Sequence, residues 1–362
     1  MTRDKALQIA KVTKHQYYYQ KTGRKSGLSN STHTLKVDGT IVENTEVLAN
    51  IEKTMKHPDT QYGYIKMWFA LKTQGFLINK KKVYRLMKSA QILHPFGRQN
   101  TKTYAKYRKV LPEKPLHVLE MDIKFVWVEQ AKKHAYILTV IDTFTRVTLY
   151  HTVMFSITKK EVKQAWEHII IHHLQPNDCL NSPINIEVRN DNDKRFSAQL
   201  VQDFFKQNYL NQVFTHPYTP QENGHIESFH SILSLHLKPY TFWSLDELDQ
   251  NLTLFYEHYN NVRIHGSIAY TSPQDFWTLW NLNLIDKKTD EKNRKTTFKL
   301  KIPYHQIKQH TGNNEPEGSS LHDFLKGSIP FKNQNKEMSG ANISNNLRSK
   351  KSPSVVPCHA NL

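Results

Sequence analysis

Cysteine is nearly absent, with two in 362 residues, Cys179 and Cys358. Two distant thiols neither staple a secreted fold nor build a Cys-rich zinc site, which suits a reducing, cytoplasmic setting. No run approaches the ~18 apolar residues that a spanning helix needs. The opening Met1-Thr2-Arg3-Asp4-Lys5 also lacks the apolar stretch of a secretory leader, so no membrane partner is expected. Acids are in short supply too: 32 Asp and Glu face 50 Lys and Arg, for a formal net charge of +18. That excess calls for a polyanionic partner.

The charge is unevenly placed. Residues 1–110 carry 22 basic and 6 acidic side chains, residues 111–285 carry 14 and 19, and residues 286–362 carry 14 and 7. An acidic middle between basic flanks suits flanks that hold phosphates around a segment that concentrates carboxylates. The organisation read from this has four parts. Residues 1–93 form a helical DNA-binding region with a helix-turn-helix at about 62–90, and residues 94–115, with their prolines and basic side chains, form a linker. Residues 116–285 form an α/β core. Residues 286–362 form a basic, largely disordered tail.

In the first part, Ile65, Trp68 and Phe69 sit at helical spacing, Gly75 breaks the helix, and Asn79 can cap a second one. That second helix turns Val83, Leu86 and Met87 inward. Its Lys80, Lys81, Lys82, Arg85 and Lys88 are candidate phosphate contacts. An αα-hairpin of purely structural use has the same pattern.

From Leu116 the texture changes. Leu119, Met121, Ile123, Phe125 and Trp127 alternate with Glu120, Asp122 and Lys124, which predicts a strand with one apolar face. Two more short β-branched runs, 135–141 and 147–155, suggest a meander. Thr158–Glu161 is a capping box that opens a helix, 184–188 is a strand running into Asn190-Asp191, a helix covers 198–205, and 212–215 is a fifth strand. A helix follows Pro220, and Ser244–Glu247 opens a last long one. The order βββαβαβα is that of a mixed five-stranded sheet flanked by helices.

Three acids stand out: Asp122 mid-strand, Asp191 at a strand end, and Glu227 in the first turns of a helix, with 35 residues between the last two. Carboxylates converging from separate rigid elements are what two-metal phosphoryl transfer needs. Any chain with 32 acids contains many such triples, so the surrounding residues decide. They are Leu119-Glu120-Met121-Asp122-Ile123, Val140-Ile141-Asp142-Thr143-Phe144, Asn190-Asp191-Asn192-Asp193, and His216-Pro217-Tyr218-Thr219-Pro220-Gln221-Glu222-Asn223-Gly224-His225-Ile226-Glu227. Tyr259-Asn260-Asn261-Val262-Arg263-Ile264-His265 follows, and Tyr62-Gly63-Tyr64 precedes them all.

This ordered set resembles the DDE superfamily of transposases and retroviral-type integrases, and within it the second-frame transposases of bacterial insertion sequences. The resemblance runs from about residue 5 to about 277 and implies a ribonuclease-H-like core. It implies that Asp122, Asp191 and Glu227 are catalytic and hold Mg²⁺ or Mn²⁺, two ions in all, and that Asp142 is structural. It further implies DNA partners (element ends and target), a homo-oligomer, and a first-frame transposase partner. Lys238 joins the candidate DNA contacts, and so does Arg263, which supports either the core or its DNA.

The sequence departs from the family in two places. At the second motif Asn190 and Asp193 stand where relatives usually carry serine and glycine, and Asp193 either takes a left-handed turn or adds charge near the ions. Ser234 stands where many relatives carry a phosphate-binding Lys or Arg, with His230 and Lys238 as substitutes. The rival readings are a catalytically inactive, transposase-derived DNA-binding protein and a structure-specific nuclease on the same fold.

Overall fold

In the computed structural model, which describes residues 2–18, 30–93, 110–179, 186–216, 219–290 and 295–312, the chain opens on helices α1 (Arg3–Ile9) and α2 (Lys14–Tyr18). Next come strands β1 (His33–Lys36) and β2 (Ile41–Glu43), helices α3 (Asn44–Met55) and α4 (Tyr64–Thr73), strand β3 (Phe76–Leu77) and helix α5 (Lys80–Ser89). Gly75 ends α4 with φ at 86°, a left-handed backbone that glycine adopts without a Cβ clash. Asn79 then caps α5 by accepting from the Lys81 N–H at 2.9 Å. Val83, Leu86 and Met87 are buried as the spacing predicts.

Two features depart from the periodicity. β1 pairs antiparallel with both β2 and β3, adding a small sheet whose strands are too short for alternation to mark. On α4 the buried stripe is Met67, Ala70 and Leu71, while Ile65 is exposed. The reason is tertiary: Phe69 stacks on Tyr270 at 3.9 Å, and Trp68 donates its indole N–H to the Ile78 carbonyl at 2.7 Å.

The core comprises β4 (Val118–Val128), β5 (Lys133–Asp142), β6 (Thr148–Met154), α6 (Lys159–Ile169), β7 (Ile186–Asn190), α7 (Gln199–Gln207), β8 (Leu210–Phe214), α8 (Gly224–Leu237), α9 (Leu245–Asn261) and α10 (Pro273–Asn281). The strand order is β6-β5-β4-β7-β8. The first three strands are antiparallel, and β7 and β8 run parallel to β4. This is the ribonuclease-H-like mixed sheet. Both anticipated capping boxes form, Thr158 with Glu161 and Ser244 with Glu247.

One face of the sheet packs Leu119, Met121 and Ile123 against Trp166 of α6 and Phe205 of α7. The other packs Ile137 and Ile141 against Phe229 of α8 and Phe255 of α9. Central β4 is therefore covered on both faces at its start, and Glu120 is as fully buried as Met121. Further along, β4 outruns β7, which pairs only with Val118–Glu120, and Phe125 and Trp127 are 52% and 42% exposed rather than buried.

The expectation that order fades beyond 285 is corrected. Strands β9 (Ile285–Asp290) and β10 (Lys295–Leu300) form an antiparallel hairpin, followed by helix α11 (Ile307–Thr311). Ile285, Leu300 and Ile307 pack with Phe144 and Phe276. These apolar residues are thinly spread among lysines and threonines, so periodicity does not reveal them. Residues 94–109 of the basic linker and 313–362 of the tail lie outside the described residues.

Candidate active site

Asp122 is half-buried in mid-β4, Asp191 follows the last residue of β7, and Glu227 lies in the first turn of α8 with its side chain reaching solvent. β4 and β7 are parallel neighbours, so the first two acids share one end of the sheet. Two of them sense the Asp122 charge: burial first, then the charges of Asp122 and Glu120, push the Glu227 carboxyl up to about 7. Burial and then the Asp122 charge also raise Asp191, partly offset by the Asp193 N–H that its Oδ1 accepts at 3.2 Å. Asp122 Oδ2 lies 3.3 Å from His230 Nδ1, on α8.

Among the described residues no Lys or Arg forms an ion pair with any of these three acids. A cluster of hard oxygens in which the Asp122 charge raises both Asp191 and Glu227 fits a divalent cation.

Sequence reasoning missed Glu120. Its Oε2 accepts the backbone N–H groups of His225 at 2.9 Å and Ile226 at 2.8 Å, and its Oε1 lies 2.7 Å from His225 Nδ1. Burial pushes its carboxyl up to about 8, against the hydrogen bond from Ile226 and the charges of Arg146 and Arg189. The available signal was its i, i+2 spacing from Asp122, which puts both on one strand face. Alternation alone marks that face only as polar.

Asp142 accepts the N–H groups of Leu116, Phe144 and Thr145 and the Thr145 hydroxyl, and so ties a turn together. Of the two alternatives for Asp193, added charge is the one present, since its carboxylate helps to raise Asp191. Its backbone is not left-handed, and its carboxylate is held by Arg195 at 2.5 and 2.8 Å. Ser234 donates to the His230 carbonyl within its own helix.

The proposed DNA contacts divide. Lys80, Lys81, Lys88 and Lys238 are exposed. Lys82 instead donates to Ser31 Oγ and the His33 carbonyl, and Arg85 to Asn30 Oδ1, so both brace the segment that leads into β1. Arg263 supports the core: its half-buried guanidinium donates to the Asp59 carbonyl, joining the helical region to the core.

One other cluster has the composition of a metal centre. His57, Asp59 and His258 bring their ligand atoms within 4.8 Å of one another. The two imidazoles stack, 4.1 Å between centroids and 11° between planes. Ring-nitrogen lone pairs lie in the ring plane, so parallel stacked rings do not aim both at one ion. Asp59 also already accepts from His236 Nδ1 at 2.9 and 3.0 Å. The trio is a packed knot between the two regions, not a metal centre.

With this geometry in hand, family models match in three places: an integrase core domain over residues 112–220, a second integrase core model over 208–273, and an HTH-like domain over 43–99. Residues 112–273 thus carry matches to integrase core domains, behind an HTH-like segment. The chain is 25% identical over 218 residues to "Insertion element IS476 uncharacterized 39.2 kDa protein" of Xanthomonas euvesicatoria, covering 60% of each chain. It thus spans about three fifths of that relative's length.

It is also 25% identical over 254 residues to "Transposase InsD for insertion element IS2A/D/F/H/I/K" of Escherichia coli, covering 65% of this chain and 79% of that one. Among solved structures, the BIV integrase catalytic core aligns at a TM-score of 0.34 and 18% identity, over 46% of this chain and 97% of that one. A chain of the simian T-cell lymphotropic virus intasome, in complex with PP2A regulatory subunit B56 gamma, aligns at 0.39 and 16%, over 61% and 74%. Among the described residues, no helix is long and apolar enough to cross a membrane.

Proposed function

We propose that this protein is a DNA transposase that cuts DNA at the ends of an insertion element and joins the freed 3′-hydroxyls to target phosphodiesters. The observation that carries the reading is the set of carboxylates Asp122, Asp191 and Glu227, the last two raised by the charge of the first, in a segment that matches integrase cores behind an HTH-like one. These three are the residues that would hold Mg²⁺ or Mn²⁺, as two ions. When bound, such ions supply the positive charge that eases deprotonation of the attacking hydroxyl and stabilises the departing oxygen.

The chain's own residues do the rest. Asp122 on a central strand and Glu227 on α8 are fixed by elements that share one hydrophobic core, so their separation is set by packing rather than by flexible loops. Exposed Lys80, Lys81, Lys88 and Lys238 offer ammonium groups to the phosphates of element-end and target DNA. In each step a hydroxyl oxygen of water or of a DNA 3′ end bonds to phosphorus as the P–O bond to the departing oxygen breaks. That oxygen takes up the proton, and no protein–DNA bond is made. A homo-oligomer holding two DNA ends, with a first-frame partner, completes the reading.

Strand transfer tests it. The purified chain is mixed with Mg²⁺ or Mn²⁺, a target plasmid and duplexes copied from the DNA flanking its gene, beside Glu227→Gln. Joined product that disappears in the variant is the expected outcome. Nicking without joining would favour a nuclease, and tight end binding without either would leave a non-catalytic DNA-binding protein.

A further inference from the structure

We propose that Glu120 is the positioning residue that sets Glu227 against Asp122, acting through hydrogen bonds to α8 and not by touching DNA. This extends the catalytic reading above and rests on it.

The argument begins with the start of α8. The first N–H groups of any helix have no acceptor within the helix, and the residue before this one, Asn223, gives no side-chain cap. The acceptor comes from another element. Glu120, on β4, takes the N–H groups of His225 at 2.9 Å and Ile226 at 2.8 Å on one oxygen and faces His225 Nδ1 at 2.7 Å with the other. Both oxygens are engaged and the side chain is fully buried, so it is closed to DNA.

The placement is what gives this cap a role. Asp122 lies two residues beyond Glu120 on the same face of β4, and Glu227 lies one residue beyond Ile226 on α8. The clamp therefore joins the two elements immediately beside both acids. A helix turns about 100° per residue, so losing the clamp lets Glu227 change direction with a small slip of α8. His230, one turn further, makes the second tie by facing Asp122 at 3.3 Å, but it reaches from the helix's flank. Glu120 holds the helix start and so fixes its axial position.

The conservative variant separates hydrogen bonding from charge. In Glu120→Gln, the amide oxygen can accept both backbone N–H groups and the amide NH₂ can donate to His225 Nδ1, which accepts in its other tautomer. Glu120→Ala removes every contact. His225→Ala removes only the side-chain contact at a partly exposed residue, and it decides the matter if Glu120→Ala does not fold.

The experiment measures strand transfer by the full chain against Mg²⁺ concentration, together with DNA affinity and thermal unfolding. For Glu120→Ala the expected result is a turnover about 100-fold lower and a Mg²⁺ half-saturation about tenfold higher, at unchanged DNA affinity. Glu120→Gln should stay within a few-fold of the original chain, and His225→Ala should fall between. A merely structural role would reduce the active fraction without moving the half-saturation, and that result overturns the proposal. So does a Glu120→Gln variant as impaired as Glu120→Ala, or an unaffected Glu120→Ala. Failure of the catalytic reading looks different, because the unmodified chain would then show no Mg²⁺-dependent joining or nicking and would match Glu227→Gln.

Discussion

Removing the carboxylate of Asp59 should unlock the helical region from the core. Asp59 is 4% exposed and its carboxylate accepts from His236, itself 1% exposed, at 2.9 and 3.0 Å. Burial works to raise this carboxyl, but the His236 hydrogen bond and the charges of His236, His258 and His57 hold it below its usual value. Breaking a buried pair by deleting one partner costs about 3–5 kcal/mol. At about 2–4 °C per kcal/mol for a domain of this size, a loss of about 3 kcal/mol lowers Tm by roughly 6–12 °C.

Asp59→Ala and His236→Ala should each show such a drop in thermal unfolding followed by circular dichroism at pH 7. The double variant should fall short of the sum by about 2 kcal/mol, because the second change removes a group already unpaired. The sign of the pH dependence follows from the depressed carboxyl. Asp59's contribution is present above the unfolded value of about 3.9 and is lost as pH falls through its lower folded value. The gap between the original chain and Asp59→Ala should therefore close below about pH 4. Strict additivity of the two single changes would refute the coupling, and an unchanged Tm in Asp59→Ala would refute the knot itself.

Three further outcomes can be checked. Asn79→Ala removes the cap of α5 and should cost about 1 kcal/mol, read as a lower urea midpoint with weakened binding to element-end DNA. Burial holds His151 down to about 4 and, with the His57 charge, His258 down to about 3. The unfolded chain takes up these protons near about pH 6.5, so stability should fall as pH drops from about 6.5 toward about 4. His151→Phe, which keeps a ring stacked on Tyr256 at 3.9 Å, should flatten that decline in urea midpoints measured at pH 7 and 5. Burial, then the Arg263 charge, push the Lys66 ammonium down to about 8. Lys66→Met should therefore raise stability at pH 7 by about 1–3 kcal/mol, with the gain fading in melts above about pH 8 as the folded lysine loses its proton.

The core strands and helices were legible because each carries its own period or cap. The βββαβαβα order, the capping boxes at Thr158 and Ser244 and the inward Val83, Leu86 and Met87 all appear where the pattern put them. What was not legible depends on partners distant in sequence. Nothing near Glu120 says that residues 105 and 106 positions later will donate to it. Met67 rather than Ile65 faces inward on α4 because aromatic Tyr270 claims Phe69 from the far end of the chain. The hairpin at 285–300 leaves no mark in the pattern because its apolar contacts are few and made to Phe144, Phe276 and their neighbours.

The same contrast changes how the closing motif is understood. The sequence shows Tyr259–His265 only as a closing motif whose arginine serves the core or its DNA, and two of its residues reach the helical region. The Ile264 N–H donates to the Tyr62 hydroxyl at 2.9 Å, and Arg263 donates to the Asp59 carbonyl. Asn260 anchors the same motif to the sheet: its side-chain oxygen accepts from the backbone N–H and the hydroxyl of Thr148, on edge strand β6, at 3.0 Å each. Thus the Tyr62-Gly63-Tyr64 segment and the closing motif, 202 residues apart at the Tyr62 and Ile264 contact, are two halves of one joint. Because α4 begins at Tyr64 and leads through Gly75 into α5, the joint fixes where the exposed Lys80, Lys81 and Lys88 stand relative to the carboxylates on β4 and α8. A substitution there, such as Tyr62→Phe, should leave both regions folded but loosen the angle between them. The expected readout is retained end binding with less joining, and equal losses of both would show that the joint serves stability alone.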